Sequence, residues 1–386
     1  MIYLDHNATT PMAPRVFEAM LPYLKERFGN PSSPYRFGNE ARTAVERARK
    51  RIADHVGCRP AEIVFCSSGT EADNLALRGV ARALGSKGRH VVVSSIEHHA
   101  VLNTGRSLEA EGWQVTRVPV TADGVVDADA LARSLRADTV LVSVMHANNE
   151  TGVVQPVEEI ARRVHGRGIV FHTDAVQSAG KLPGPLAGLG ADLVTVSAHK
   201  LYGPKGAAVL YARRGTPISP VTTGGAQELG LRAGTENVAA IVGFAEAMAL
   251  AFEGQDVEGR RQADLRDRLE LEVLAAVPSA RVHGAMAPRV PNTSSLGFQA
   301  VDGESIVLGL DVQGICVSTG SACSTGEPEP SHVLLAMGLS REEAQGTIRV
   351  SLGRGTRPQD IDLAVRALAG TVARLRQISS VGGTAG

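Results

Sequence analysis

The chain has 386 residues, enough to bury a sizeable core and to form two domains. Lys plus Arg (40) balances Asp plus Glu (40), so no basic field points to nucleic acid or to an anionic membrane. Apolar and charged contents of 43% and 21% are those of a globular protein. The longest apolar stretch, Val238 to Phe252, carries Glu246 and is too short to span a bilayer.

The opening residues, MIYLDHNATTP, carry acid early and lack an apolar signal core, so a soluble, cytoplasmic protein is expected. From about residue 60 to 215, short β-branched runs alternate with helix-length stretches. The expected strands are EIVF (62–65), HVVVSS (90–95), QVTRVPV (114–120), TVLVSV (139–144), IVFHTD (169–174), DLVTVSA (192–198) and AAVLYA (207–212). Helical stretches such as 70–84 and 156–168 lie between them. Apolar strands alternating with helices predict an α/β fold, with a mostly parallel sheet covered on both faces.

After Thr235 the texture changes. A charged amphipathic stretch (256–277) leads to strands near 280–284, 292–298 and 347–352. Ile361, Val365, Leu368, Val372 and Leu375 then form one apolar helical face. The expected division is an N-terminal arm (1–15), a large domain (16–255), a smaller α+β C-terminal domain (256–376) and a frayed tail (377–386).

Ligands of open α/β sheets bind beyond the carboxyl ends of the strands, so the residues that close each run are the ones to examine. After EIVF comes CSSGTEADN, whose Gly69, Thr70 and Glu71 open a helix and offer backbone N–H groups to an anion. It matches neither GxxxxGK[ST] nor GxGxxG, which weakens ATP and NAD readings. The following strands close on His98 and His99, on Asn148 and Asn149, on Asp174 with Gln177, and on Ser197, His199 and Lys200. Singly each has a bland reading: a capping histidine, a turn asparagine, a lysine reaching for water. Together, a lysine, an acid in need of a cation and an anion cradle suit pyridoxal phosphate.

Four cysteines, at 58, 66, 316 and 323, form no CxxC and no metal-site spacing, so no metal is expected. Cys66 and Cys316 end apolar runs and read as structural; Cys58 reads as incidental. Cys323 lies in VSTGSACSTGEPEPSHV, among residues too small to pack a core, which suggests an exposed loop.

The motifs YLDHNATTP, FGNPSS, SSGTEADNLAL, EHHAV, MHANNETGVVQP, HTDAVQS, SAHKLYGPKG, LRAGTENV and STGSACS…EPSHVL occur in that order. The set, from residue 3 to about 355, resembles the cysteine desulfurases of the NifS/IscS type, fold-type I pyridoxal-phosphate transferases of aminotransferase class V. The resemblance implies a homodimer with shared active sites. Lys200 would hold the cofactor as a Schiff base, Asp174 would pair with its ring nitrogen, and His98 would stack on the ring and move protons. Asn149 and Gln177 would bond the phenolic oxygen. Gly69, Thr70, Ser197 and His199 would hold the phosphate, and Thr235 would reach the neighbouring subunit's phosphate. Arg349 would clamp the substrate carboxylate, with Asn7 and Asn149 close by.

The implied reaction takes sulfur from L-cysteine, leaving L-alanine and a persulfide on Cys323. That sulfur would pass to an acceptor protein, in iron–sulfur cluster assembly, tRNA thiolation or another transfer pathway. No Lys or Arg lies within five residues of Cys323, so its thiolate is expected to be stabilised by the pocket. Selenocysteine lyase, cysteine sulfinate desulfinase or aminotransferase activity stays open, as does an idle scaffold that binds a sulfur carrier. The chain departs from the pattern at Tyr35, Ala226, Leu229, Cys66 and Ser68.

Overall fold

The computed structural model describes residues 1–319 and 329–382. Strand β1 (Ile2–Tyr3) precedes helices α1 (Pro14–Lys25) and α2 (Arg36–Val56). The alternating region then gives β2 (Ile63–Cys66), α3 (Gly69–Leu84), β3 (His90–Ser94), α4 (His99–Ala110), β4 (Gln114–Val118), α5 (Ala128–Ser134), β5 (Thr139–Ser143) and α6 (Val157–His165). It closes with β6 (Val170–Asp174), β7 (Leu193–Ser197) and β8 (Ala208–Ala212). All seven expected strands join one sheet, in the order β2-β8-β7-β6-β5-β3-β4. Only β8 runs against its neighbours, β7 and β2; the other adjacent pairs are parallel.

The side-chain period of two explains the layers. Along β2, Ile63 and Phe65 face one core, with α1, α2 and α6, while Val64 and Cys66 face the other, with α3 and α4. Helix α7 (Val238–Phe252) is apolar almost all round because it lies buried beside α1 and α2. Its single charge, Glu246, accepts bonds from Arg15 and from Arg51, the latter at 2.8 Å. Helix α8 (Gln255–Ala276) follows across a 71° bend, and no single helix among the described residues is long and apolar enough to cross a membrane.

A third core is built from α8, β9 (Arg281–Val282), β10 (Thr293–Gly297), α9 (Gly303–Asp311), β11 (Ile315–Cys316) and β12 (Thr347–Ser351). Short helices α10 (His332–Ala336) and α11 (Arg341–Gln345) precede β12. The last helix, α12 (Pro358–Gly382), buries Ile361, Val365, Leu368 and Val372 against this core, and it continues past residue 376. Strands β1 and β11 pair in parallel; at two residues each they are too short to leave a periodic signal.

One buried ion pair braces the loop before α7. The Arg49 guanidinium meets the Glu228 carboxylate at 2.9 and 2.7 Å, and Phe65 N–H donates to the same carboxylate at 2.7 Å. Glu228 and Leu229 both have left-handed backbone (φ 47° and 60°), a conformation that costs side-chain-bearing residues free energy. The pair offsets that strain. Replacing Glu228 with Leu leaves the buried Arg49 with only the Ile63 carbonyl and the exposed Glu46 carboxylate, at 3.2 Å, and should lower stability by about 3 kcal/mol in urea denaturation.

Candidate active site

A cavity of about 390 Å³ opens at the carboxyl edge of the large sheet. This lies within the range of ligand pockets, roughly 300–1,000 Å³. The ends of β2, β3, β5, β6 and β7 all contribute to its walls, because parallel strands bring their carboxyl ends to one edge. Asn7, Gly69, Thr70, His98, Asn149, Asp174, Gln177, Ser197, His199, Lys200 and Arg349 line it together. Thr235 does not; it is exposed on the loop before α7. Cys323 lies outside the described residues, but the chain on either side reaches the cavity wall through Ser318 and His332.

Lys200 follows β7 in a tight helical turn, and its ammonium donates to the backbone carbonyls of Asn7 (2.5 Å) and Ala8 (2.7 Å). Burial and the nearby Arg349 push its pKa down to about 8, which brings the neutral, nucleophilic amine within reach. The lysine turn is itself clamped by the N-terminal arm. Thr10 Oγ1 donates to His199 O at 2.9 Å and accepts from Tyr202 N–H at 2.8 Å, where Tyr202 takes a left-handed φ of 63°.

Asp174 closes β6 in the interior. Its carboxylate accepts from Val176 N–H at 2.8 Å, and no cationic side chain hydrogen-bonds to it among the described residues. Burial therefore pushes its pKa up to about 6, against the relief from that bond and from Lys200. Beside it, Asp73 is also buried, with Oδ1 lacking a hydrogen bond, and its pKa is raised by burial and by Asp174. Arg349, on β12, spends its terminal nitrogens on Asp5 Oδ1 (2.6 Å) and Asn149 O (3.1 Å). Its Nε is buried without a partner among the described residues. Such orphaned groups mark where a ligand completes the wiring.

The anion cradle is the start of α3. Ser68 caps the helix by accepting Glu71 N–H at 3.1 Å, leaving Gly69 and Thr70 at the open first turn. A Cβ added at Gly69 would come within 3.3 Å of Val176, so glycine keeps this approach narrow but open. His98 caps α4: its Nδ1 accepts Ala100 N–H at 3.1 Å, which leaves the proton on Nε2. Its ring is exposed on the cavity side, and surrounding protein followed by the Lys200 charge holds the imidazole below the usual histidine range.

Sequence reasoning missed Asp5, Asp73, Glu97, Glu150 and Lys181. Glu97 is fully buried, accepts from Ser94 Oγ (2.5 Å) and Met145 N–H (2.7 Å), and is pushed up to about 8 by burial. Glu150 accepts from Ser331 Oγ and is raised by burial to about 7. Both stand inside motifs, EHHAV and HANNETG, where neighbouring residues drew the attention. Lys181 trails Gln177 by four residues, the one spacing that could have flagged it.

A lysine amine, an uncompensated buried acid and an anion cradle at the carboxyl edge of this sheet define a cofactor-dependent transferase of the pyridoxal-phosphate class. The sequence matches the family model described as aminotransferase class-V over residues 2–363, and the chain belongs to that family, among its cysteine desulfurases. It is 48% identical over 378 residues to "Cysteine desulfurase IscS" of Dictyoglomus turgidum, covering 98% of this chain and 96% of the relative. It is 46% identical over 379 residues to "Cysteine desulfurase" of Trichormus azollae, covering 98% and 94%. Among solved structures, a "NifS-like protein" superposes with a TM-score of 0.89 at 38% identity, covering 98% of this chain and 99% of that one. "SspA in complex with cysteine" gives a TM-score of 0.81 at 36% identity, covering 91% and 99%.

Members of this family use pyridoxal phosphate, and the residues present fit it. The ring nitrogen's proton would supply the cation that Asp174 lacks. The phosphate would take the Gly69–Thr70 turn.

Without cofactor, the Asp174 charge is a liability. Its folded pKa of about 6 exceeds the unfolded carboxylate value, so the folded state binds this proton more tightly. Relative to a neutral side chain its effect is small near pH 4, grows into a cost as pH rises to about 6, and stays at that cost above. Asp174→Asn should therefore stabilise the cofactor-free protein by about 2–3 kcal/mol at pH 8 and by little at pH 4, read by urea denaturation at both pH values.

Proposed function

We propose that this protein removes sulfur from L-cysteine, releases L-alanine, and carries the sulfur as a persulfide on Cys323 for delivery to an acceptor protein. The observation that carries this reading is the convergence of Lys200, Asp174 and Arg349, whose Nε has no partner among the described residues, on one cavity whose wall also holds Ser318 and His332 on either side of the Cys323 segment. Bound pyridoxal phosphate supplies an electron sink for a carbanion at the substrate Cα.

The protein's own residues do the rest. Arg349 Nε binds the substrate carboxylate, and Asn7 and Asn149 border that position. Asp174 would hold a proton at the ring nitrogen and keep the ring electron-poor. Gln177 and Asn149 would bond its phenolic oxygen. His98 would stack on the ring, and Ser197 and His199 would join Gly69 and Thr70 in holding the phosphate. The Lys200 amine, depressed towards neutrality, takes the Cα proton and returns one at the end, with the Nε2 proton of His98 at hand. The Cys323 thiolate then attacks the substrate sulfur. An S–S bond forms as the C–S bond breaks, its electron pair stays with the carbon skeleton, and protonation there yields alanine.

A second copy of the chain is part of the proposal. Phe28, Tyr35 and Leu229 are large apolar residues exposed on this chain, and Thr235 is exposed away from its own cavity, where it is free to serve a partner's phosphate. The acceptor is a protein able to approach Cys323, in iron–sulfur cluster assembly, tRNA thiolation or a sulfur-carrier pathway.

The purified protein should be yellow, and with L-cysteine and a reductant it should form alanine and sulfide in equal amounts. Cys323→Ser should keep the colour and lose at least ~100-fold in sulfide formation. Lys200→Ala should lose the borohydride-reducible adduct. A colourless, inert wild type overturns the reading. Full sulfide release by Cys323→Ser removes the thiol from it, and a selenocysteine-only activity replaces it with a lyase.

A further inference from the structure

One lysine near the cavity has no part in the chemistry above. Lys181 is partly buried, on the turn after β6, and borders a small cleft behind the main cavity. Its ammonium donates to Gln177 Oε1 at 2.9 Å and to Asn7 Oδ1 at 3.2 Å. An ammonium has donors only, so both amides must turn their oxygen towards it. Gln177 is then left to present its amide nitrogen elsewhere, and Nε2 donates to the Asn7 carbonyl at 3.0 Å. Asn7 is held in the same sense: Oδ1 also accepts from Asn292 Nδ2 at 3.1 Å, while Nδ2 donates to Thr293 Oγ1 (2.8 Å) and Asn149 O (3.1 Å).

We propose that Lys181 is a positioning residue whose ammonium locks the Gln177 and Asn7 amides, so that Gln177 offers N–H rather than carbonyl to the cofactor's phenolic oxygen. The inference rests on the reading of Gln177 as a cofactor contact. A neutral residue would fill this space at no electrostatic cost. Instead burial, then the charges of Lys200 and Arg349, push Lys181 down to about 7, a costly placement of the kind found at functional sites.

The test titrates the cofactor-free full chain with pyridoxal phosphate and follows the visible band and its pH midpoint. The variants are Lys181→Met, Gln177→Leu, the double variant and Gln177→Glu. Wild type should form a band that Lys200→Ala lacks; if none forms, the cofactor reading fails and this inference falls with it. If the band forms, Lys181→Met should bind the cofactor roughly tenfold more weakly, the scale of one lost charge-assisted bond. Its midpoint should move up by about one unit, since a cation and an oriented donor no longer oppose protonation of the lysine-bound cofactor. The double variant should be no weaker than Gln177→Leu, because Lys181 acts through Gln177. Gln177→Glu, which keeps an acceptor for Lys181 and has no N–H to offer, should be as weak as Gln177→Leu and leaves Lys181 untouched should its replacement prevent folding. Wild-type affinity and midpoint in Lys181→Met, additive losses in the double variant, or wild-type binding by Gln177→Glu overturns the assignment while leaving the cofactor reading in place.

Discussion

The carboxylate of Asp174 is buried at the end of β6 with a single backbone N–H and no hydrogen-bonded cation among the described residues to balance it. That constraint organises the site around it. A lone buried charge either neutralises or recruits a counter-charge, and the surroundings make both outcomes available. Asp73 and Glu97, also buried, raise the local cost of negative charge, while Lys200 lies close enough to lower it. The surroundings thus favour one proton carried on a flat ring. Each neighbouring perturbation has the same sense: acids are raised, and both lysines are lowered.

The opposed signs explain why the groups sit on different elements. Lys200 is lowered by burial and by Arg349, yet raised by Asp174 and Asp5, so its proton affinity is a balance struck between the large sheet and β12. Arg349 is in turn neutralised by Asp5, which belongs to the arm. No single element contains both charges of an opposed pair here. Shifting β12 by one residue would turn Arg349 to the other face of its strand and leave Lys200 and Asp174 facing each other without a mediator. The register Ser295↔Arg349 in the β10–β12 pair is therefore an electrostatic constraint as well as a packing one.

The sheet was legible because most of its strands are short, fully buried apolar runs, and β3, β5, β6 and β7 each end on a polar residue. The reactive strand ends could be found by asking what closes each run. His98, Asp174 and Lys200 announce themselves in this way. Asp5 does not, and Lys181 does so only by its spacing from Gln177, since the other partners lie far along the chain: Lys181 and Asn7 are 174 residues apart, and Arg349 and Asp5 are 344. Glu97 and Glu150 were overshadowed by their own motifs, because a carboxylate beside a histidine pair or in a turn reads as solvated. The strain at Glu228 and Leu229 was equally silent, as an acid followed by leucine gives no hint of left-handed backbone. Cys323 was found by contrast with its small neighbours, and it lies outside the described residues.

The N-terminal arm ties these separate parts into one device. Tyr3 pairs with Cys316, and Leu4 N–H donates to Cys316 O at 2.9 Å, on the strand that leads to Ser318 and the Cys323 segment. Leu4 itself is buried in the third core, with α8, α9 and α12. Asp5 neutralises Arg349, Asn7 and Ala8 hold the Lys200 ammonium, and Thr10 secures the turn that carries it. Fewer than ten residues therefore touch, in order, the strand that leads to the Cys323 segment, Arg349 and Lys200. A turn at residues 6–8 suits this role, since Ala8 N–H donates to Asp5 O at 3.0 Å and the Asn7 and Ala8 carbonyls both reach the Lys200 ammonium. Because the arm bonds β11 through its main chain and the lysine through its carbonyls, a displacement of either end is felt at the other. The strand that precedes the Cys323 segment and the position of Lys200 are thus held by the same short stretch of chain.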